Sequence, residues 1–328
     1  MTVVFPPFPG YPYRFLRSGK RLPEDEVSAV MTDSFFRQPL RYEALQKAAL
    51  ELKQEYPFLE VFSLGKSLAG RELYAFGIGQ AKGASLFVGA VHGMEWLTAL
   101  LLMRLLEDIC HSLKTGAPLA EIDISRSLES RALTIVPCLN PDGVEIAAAG
   151  PLGAGPWESL VRACGDTDHW QANARGVDLN HNFDAGFECL KQMEQAAGYT
   201  GPGPTRYGGP YPFSEPESAA LASYCKCFCP RQAYAFHSQG EEIYYDYGSR
   251  TPCRSRLMAQ VLASVSGYRL ASPEGLASHG GFKDWFIQYF GAPAFTVEIG
   301  RGKNPLPAEE LEPIYGRLLE MLLIAILL

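Results

Sequence analysis

Polar side chains that could do chemistry interrupt otherwise apolar runs of this sequence. His92 and Glu95 fall in VGAVHGMEWLTALLL, residues 88–102, where packing alone has no use for an imidazole or a carboxylate. If LFVGAV is a strand, both stand where it ends and a helix begins, the edge at which open α/β sheets bind ligands. Three residues apart, their side chains reach one point, and an imidazole nitrogen with a carboxylate oxygen makes half of a tetrahedral zinc shell. Taken alone, H-x-x-E is more often a satisfied polar pair at a helix start. His237, in YAFHSQG, is a second histidine at a strand end beside a glycine turn, out of six in the chain. Two His and one Glu with a fourth position open for water form a catalytic donor set, whereas a structural zinc site closes its shell with four protein ligands.

A water held there needs a base. Glu298, in AFTVEIG, sits in a third oily strand, where an unpaired carboxylate is costly. Beside the metal it would take the proton of the water and return it to a leaving amine. The alternative for Glu298 is a salt bridge with Arg301 or Lys303.

The elements that must position these residues follow from periodicity. YEALQKAALELKQEYP repeats apolar residues at helical spacing, and Pro57 closes it. LEVFSLGKS and RELYAFGIG read as a hairpin. ASLFVGAVHG and RALTIVPCLNPDG are near-continuous apolar runs, expected of strands covered on both faces, with the helix EWLTALLLMRLLEDICHSL between them. Residues 145–215, rich in Gly, Pro and Asn, either hold small elements or carry function. Order resumes with a helix from about Glu215 to Cys227, the strand QAYAFHSQG, a hairpin partner for it in EEIYYDYG, a helix over 251–267, the strand AFTVEIG and a leucine-rich final helix. Asn140–Gly143 reads as an Asx turn that bends the chain away from the sheet. The expected architecture is α/β: three layers, α/β/α, around a central mixed twisted sheet. Residues 1–34, proline-rich and aperiodic, read as an N-terminal extension, and 35–328 as the catalytic domain.

Composition excludes several classes. With 328 residues, 47% hydrophobic, the chain is long enough for a sizeable core. Lys and Arg total 29 against 36 Asp and Glu, a net charge of −7, which offers no positive field for nucleic acid. No apolar run approaches the ~20 residues of a membrane span, and the first twenty residues lack the apolar core of a signal peptide. A cytoplasmic protein without stable membrane association is the expectation; association into a homo-oligomer stays open. Cys225, Cys227 and Cys229 alternate along a helix, pointing about 200° apart, so the three do not converge on one metal unless the helix ends there.

Taken together, H-x-x-E at 92–95, NPDG at 140–143, GVDLNHNFDAGF at 176–187, HS at 237–238 and TVEIG at 296–300 resemble the zinc carboxypeptidase family, the M14-like funnelins, in order and over residues 38–310. NARGVDLN, GPYPFSEPESAAL and FHSQGEEIYY look more specifically like the bacterial branch that cleaves γ-D-glutamyl bonds to diamino acids in cell-wall peptides. The resemblance implies one Zn²⁺ held by His92, Glu95 and His237, with Glu298 as general base. It implies that Asp178 accepts from the free nitrogen of His92, that Arg175, or else Arg162 earlier in the same region, polarises the scissile carbonyl, and that Asn180 binds a terminal carboxylate. Where digestive-type relatives carry an arginine after that asparagine, His181 stands here, and an imidazole lacks the bidentate fork that clamps carboxylate. Their mobile tyrosine aligns with Leu276, and the floor of their specificity pocket with Lys283, which would pair with a second carboxylate on diaminopimelate or simply with Asp284. Tyr207, Tyr211, Tyr244 and His279 are further candidates to line the cleft. The expected substrate is a small murein-derived peptide. The alternatives are a metallocarboxypeptidase and a related zinc amidohydrolase or deacylase.

Overall fold

The computed structural model describes residues 30–79, 82–128 and 130–328, so most of the expected N-terminal extension lies outside the described residues. From Val30 the chain already packs on the domain: Met31 and Phe36 are buried, and the Met31 N–H donates to Glu107 Oε1 at 2.7 Å.

Apolar alternation builds the sheet. Its strands are β1 (Glu60–Lys66), β2 (Glu72–Ile78), β3 (Ser85–Val88), β4 (Leu133–Val136), β5 (Gln232–Ser238), β6 (Glu242–Tyr244), β7 (Arg269–Leu270) and β8 (Ala294–Ile299), in the order β1-β2-β4-β3-β5-β8-β6-β7. The central β4, β3, β5 and β8 run parallel, flanked by antiparallel β1–β2–β4 on one side and β6 against β8 on the other. The predicted hairpin at 60–78 forms. The predicted pairing of β6 with β5 does not: β8 inserts between them, because the parallel register of β5 with β8 uses the edge that β6 would need.

Helices cover both faces. Phe87, Tyr234, Phe236, Phe295 and Val297 pack against α1 (Tyr42–Glu55), α2 (Leu97–Thr115), α3 (Ile124–Leu128), α8 (Cys253–Ser266) and α10 (Leu311–Leu327). On the opposite face Leu86, Val88, Ala233, Ala235 and Ala294 meet α7 (Pro216–Phe228) and α9 (Phe282–Phe290). Successive strand residues thus alternate between two cores, which is why these strands read as continuous oily runs. The expected three-layer α/β/α architecture is what the chain adopts. Among the described residues no helix is long and apolar enough to cross a membrane.

The segment 145–215 holds small elements and site residues together. Asn140–Gly143 is not a free turn: Pro141 starts α4 (Pro141–Ala149), and Asn140 caps it, accepting from the Gly143 N–H at 2.8 Å. Beyond it come a 3-10 stretch at Gly150–Trp157, α5 (Glu158–Cys164), a 3-10 turn at Leu179–His181 and α6 (Phe187–Ala196). Cys225 is buried and Cys227, about 200° round the helix, is exposed. Cys229, at i+4 from Cys225, is exposed because α7 ends at Phe228 and Cys229 is its left-handed C-cap.

Candidate metal centre

After β3 the chain passes through Ala90 with φ 39°, and His92 takes an extended conformation before one 3-10 turn, Gly93–Glu95, leads into α2. Neighbouring loops hold that turn. Gly93 N–H donates to the Gln171 carbonyl at 3.0 Å and Met94 N–H to that of Trp170 at 2.8 Å. The Asn140 amide reaches the carbonyls of Val91, Gln171 and Ala172 at 3.1–3.2 Å. The turn also lies so close to α4 that a Cβ on Gly93 would stand 2.2 Å from the Gly143 carbonyl oxygen. NPDG therefore serves as the bed under the H-x-x-E turn, a role its local turn chemistry did not reveal.

His92, Glu95 and His237 converge, with one donor atom from each lying within 4.8 Å of the others. His92 Nδ1 is 2.8 Å from Glu95 Oε1, His237 Nδ1 is 3.0 Å from Glu95 Oε2, and the two Nδ1 atoms are 3.2 Å apart. On its far side His92 Nε2 meets Asp178 Oδ1 at 3.1 Å. Asp178 also accepts from the backbone N–H groups of Asn180 and Arg206, both at 3.0 Å, so its carboxylate is fixed before it orients the ring.

These contacts state what belongs at the centre. With its hydrogen on Nε2, pointed at Asp178, neutral His92 turns a lone pair toward the Glu95 carboxylate and toward a second imidazole. Lone pairs meeting at such distances repel unless a cation lies among them. Without metal a proton takes that place. Burial works against it, yet the Glu95 and Asp178 charges hold the His92 pKa well above the usual imidazole value. Glu95 is likewise driven down to about 2 by His92 and His237 although burial opposes it. Two nitrogens and a carboxylate at the end of buried strands are the donor set zinc prefers, and the residues present fit a single ion.

Glu298 reaches the centre by sheet register. It stands opposite His237 in the parallel β5–β8 ladder, with Glu242 of β6 on its other side. All three therefore share the face that carries α9. No hydrogen bond to the Glu298 carboxylate occurs among the described residues. The alternative salt bridge, with Arg301 or Lys303, is not formed among the described residues, and Arg301 pairs with Glu241 at 2.7 Å instead. Burial, and then the Glu95 charge, raise its pKa well above the usual carboxylate value.

Beside Glu298 opens a cavity of about 380 Å³, lined among others by Asn180, Tyr244, Glu274, Lys283 and Asp284. Asn180 Oδ1 accepts from the Phe282 N–H at 3.1 Å, which leaves its amide hydrogens for a ligand. Tyr244 donates its hydroxyl hydrogen to Glu242. Lys283 pairs with Asp284 and donates to the Asp246 carbonyl at 2.7 Å. A larger cavity, about 570 Å³, lies elsewhere, between Arg41, Arg71, Glu145 and Leu152, and contains none of these side chains.

Other candidates have different partners. Arg175 donates to Glu215 and to the Ser214 carbonyl, at 3.0–3.2 Å, and lies over the Trp157 ring. These contacts pin the loop before α7, and Arg175 is not among the residues that line the cavity. His181 is buried with Nδ1 3.1 Å from the Arg206 carbonyl. Tyr207 lies beneath the Lys191 ammonium at 4.3 Å, and His279 Nδ1 meets the Tyr247 hydroxyl at 3.1 Å. None of these three, nor Tyr211, which is exposed, lines the cavity. Glu242 was not singled out in the sequence, and Asp284 only as a partner for Lys283; register with Glu298 is the signal that points to Glu242.

A mixed sheet that presents two imidazoles and a carboxylate at its strand ends, with a glutamate alongside, is the frame of a one-metal hydrolase. The fold resembles that of thrombin-activatable fibrinolysis inhibitor, with a TM-score of 0.69 and 20% identity, over 92% of this chain and 79% of that one. The chain is 32% identical over 286 residues to the gamma-D-glutamyl-L-diamino acid endopeptidase 1 of Lysinibacillus sphaericus, covering 86% of this chain and 71% of that protein. It is 31% identical to the uncharacterized protein YqgT of Bacillus subtilis, covering 87% and 77% respectively. The zinc carboxypeptidase family model matches residues 45–320, and the chain belongs to that family of zinc metallopeptidases.

Proposed function

We propose that this metallopeptidase hydrolyses amide bonds in small cell-wall peptides, at the bond between a γ-D-glutamyl group and a diamino acid. The observation that carries the reading is the cavity beside Glu298: its buried end holds Lys283, and the position after Asn180 offers a buried histidine turned toward a backbone carbonyl. A guanidinium clamp for a C-terminal carboxylate is therefore missing from that position. The likeness to the Lysinibacillus sphaericus enzyme supports the same substrate class.

His92, Glu95 and His237 would hold the zinc, which when bound polarises an amide carbonyl and makes a water more acidic. Asp178 keeps the His92 hydrogen on Nε2, so that Nδ1 remains a donor. Glu298 takes a proton from the attacking water and passes it to the amide nitrogen as the C–N bond breaks. The carboxyl goes to the γ-glutamyl product and the amine leaves on the diamino acid. A raised pKa suits a group that must both accept and release that proton. Asn180 and Lys283 bind and orient the departing residue.

The test is incubation of the zinc-loaded protein with γ-D-glutamyl-diaminopimelate and γ-D-glutamyl-lysine peptides, and separately with hippuryl amino acids, read by mass spectrometry. Release of the diamino acid with no hippurate is expected. Hippurate release without cleavage of either γ-glutamyl peptide would identify a carboxypeptidase instead.

A further inference from the structure

The larger cavity, about 570 Å³, has the size of a small-molecule site and shares no lining residue with the cavity beside Glu298. Part of its wall is α4. That helix packs its Gly143 carbonyl against Gly93 of the metal turn and presents Glu145 and Ala149 to this second cavity.

Two arginines line it, and each is backed by a buried acid. Arg71 donates from Nη1 to Asp142 at 2.6 Å and from Nη2 to the Gly153 carbonyl at 2.8 Å. Arg41 donates from Nε and Nη2 to Glu145 at 3.1 and 2.7 Å. A guanidinium carries five N–H donors, so each keeps three, and these meet no acceptor among the described residues. The two acids are otherwise engaged. Asp142 also accepts from the Ser67 hydroxyl and the Ala69 N–H, and Glu145 from the Tyr42 N–H. Glu43, the remaining acid on the lining, is exposed to water.

Unused donors beside engaged acids select the ligand. A cation finds no free buried carboxylate. A dianion such as phosphate brings more charge than two arginines already paired with acids can balance. A carboxylate carries one charge and matches the planar fork of a guanidinium. Between Arg41 and Arg71 it meets opposite charge on both sides, with Glu145 and Asp142 standing behind them. Pro39, Ala149 and Leu152, the last of them 68% exposed, supply hydrocarbon for the body of such a molecule.

We infer that this cavity is a second ligand site, which takes a monocarboxylate with an apolar body. The site stands independently of the proposed reaction.

The experiment is calorimetric titration of the zinc-loaded protein with hexanoate, hexanamide, acetate and inorganic phosphate. Hexanamide lacks the charge, acetate lacks the chain, and phosphate has the wrong charge and no chain. Hexanoate is expected to bind about tenfold or more tightly than each of them. Two variants locate the binding. Arg41→Gln removes a fork from a side chain that is 57% exposed, while the Tyr42 N–H still serves Glu145. Ala149→Trp fills the cavity from an exposed helix position and leaves both arginines in place. Each variant is expected to weaken hexanoate binding about tenfold. No measurable binding of hexanoate, or affinity for any of the other three that equals or exceeds it, overturns the inference. So does hexanoate binding that either variant leaves unchanged, because the carboxylate would then sit elsewhere, on the zinc first of all.

Discussion

Replacing Asp178 by Asn tests the centre through a residue that does not touch the metal. Asp178 Oδ1 serves both His92 Nε2 and the Asn180 N–H, and Oδ2 serves the Arg206 N–H. A carboxamide has one oxygen for these two sides. If the oxygen stays toward His92, the NH₂ faces the Arg206 N–H, and an unsatisfied buried donor costs about 1–3 kcal/mol of stability. If the amide turns, its NH₂ faces the ring and favours the tautomer with hydrogen on Nδ1, the atom needed for zinc. Either way the imidazole loses the negative charge that strengthens it as a donor, and such partners are worth about 10–100-fold in metal affinity, about 1.4–2.8 kcal/mol. Competition for zinc against a chelator of known affinity, at fixed pH and with folding checked by circular dichroism, measures this directly. A folded Asp178→Asn protein with unchanged zinc affinity would refute the assignment of Asp178 as the group that orients His92.

Glu298→Gln is expected to lower kcat by about 10²–10⁴-fold, the usual worth of a general base, while chelator competition shows zinc affinity unchanged; a matching loss of affinity would instead make it a ligand. Burial, and then the Asp142 charge, push Glu217 up to about 8 from an ordinary 4.5. The native state therefore holds a proton the unfolded chain has released, and stability falls as pH rises from about 5 to 8. Glu217→Gln should flatten the melting temperature across that window, and an identical slope in the variant would show that other groups set it. Gly93→Ala should lose zinc affinity and thermal stability together, since its Cβ collides with the Gly143 carbonyl; a variant that binds zinc normally would mean the turn has room to shift.

What was legible in the sequence was whatever a strand announces by itself. β3, β5 and β8 are buried on both faces, so His92, His237 and Glu298 stood out as polar interruptions at their ends, and the layered α/β frame followed from the same runs. Pairings that depend on distant chain were not legible. Nothing local says that β8 inserts between β5 and β6, and so nothing placed Glu242 opposite Glu298. Asn140 capped a helix and bound three carbonyls from two loops, although its tetrapeptide has the composition of a turn. Arg175, His181, Tyr207 and His279 do not line the cavity, and each has its partner elsewhere: Glu215, the Arg206 carbonyl, the Lys191 ammonium and the Tyr247 hydroxyl. Only tertiary packing supplies such partners to the loop-rich segments that carry them.

The register of β5 against β8 has a further consequence. In the proposed reaction, bond cleavage depends on three strand ends whose spacing the ladder dictates, whereas the cavity that would receive the departing residue is lined by the opening turn of α9 and by β6. These two halves of the protein can drift at different speeds. A lineage, or an engineer, can retailor α9 for a new leaving group while the hydrolytic apparatus stays untouched, and a single residue of slippage between β5 and β8 would silence every such variant at once.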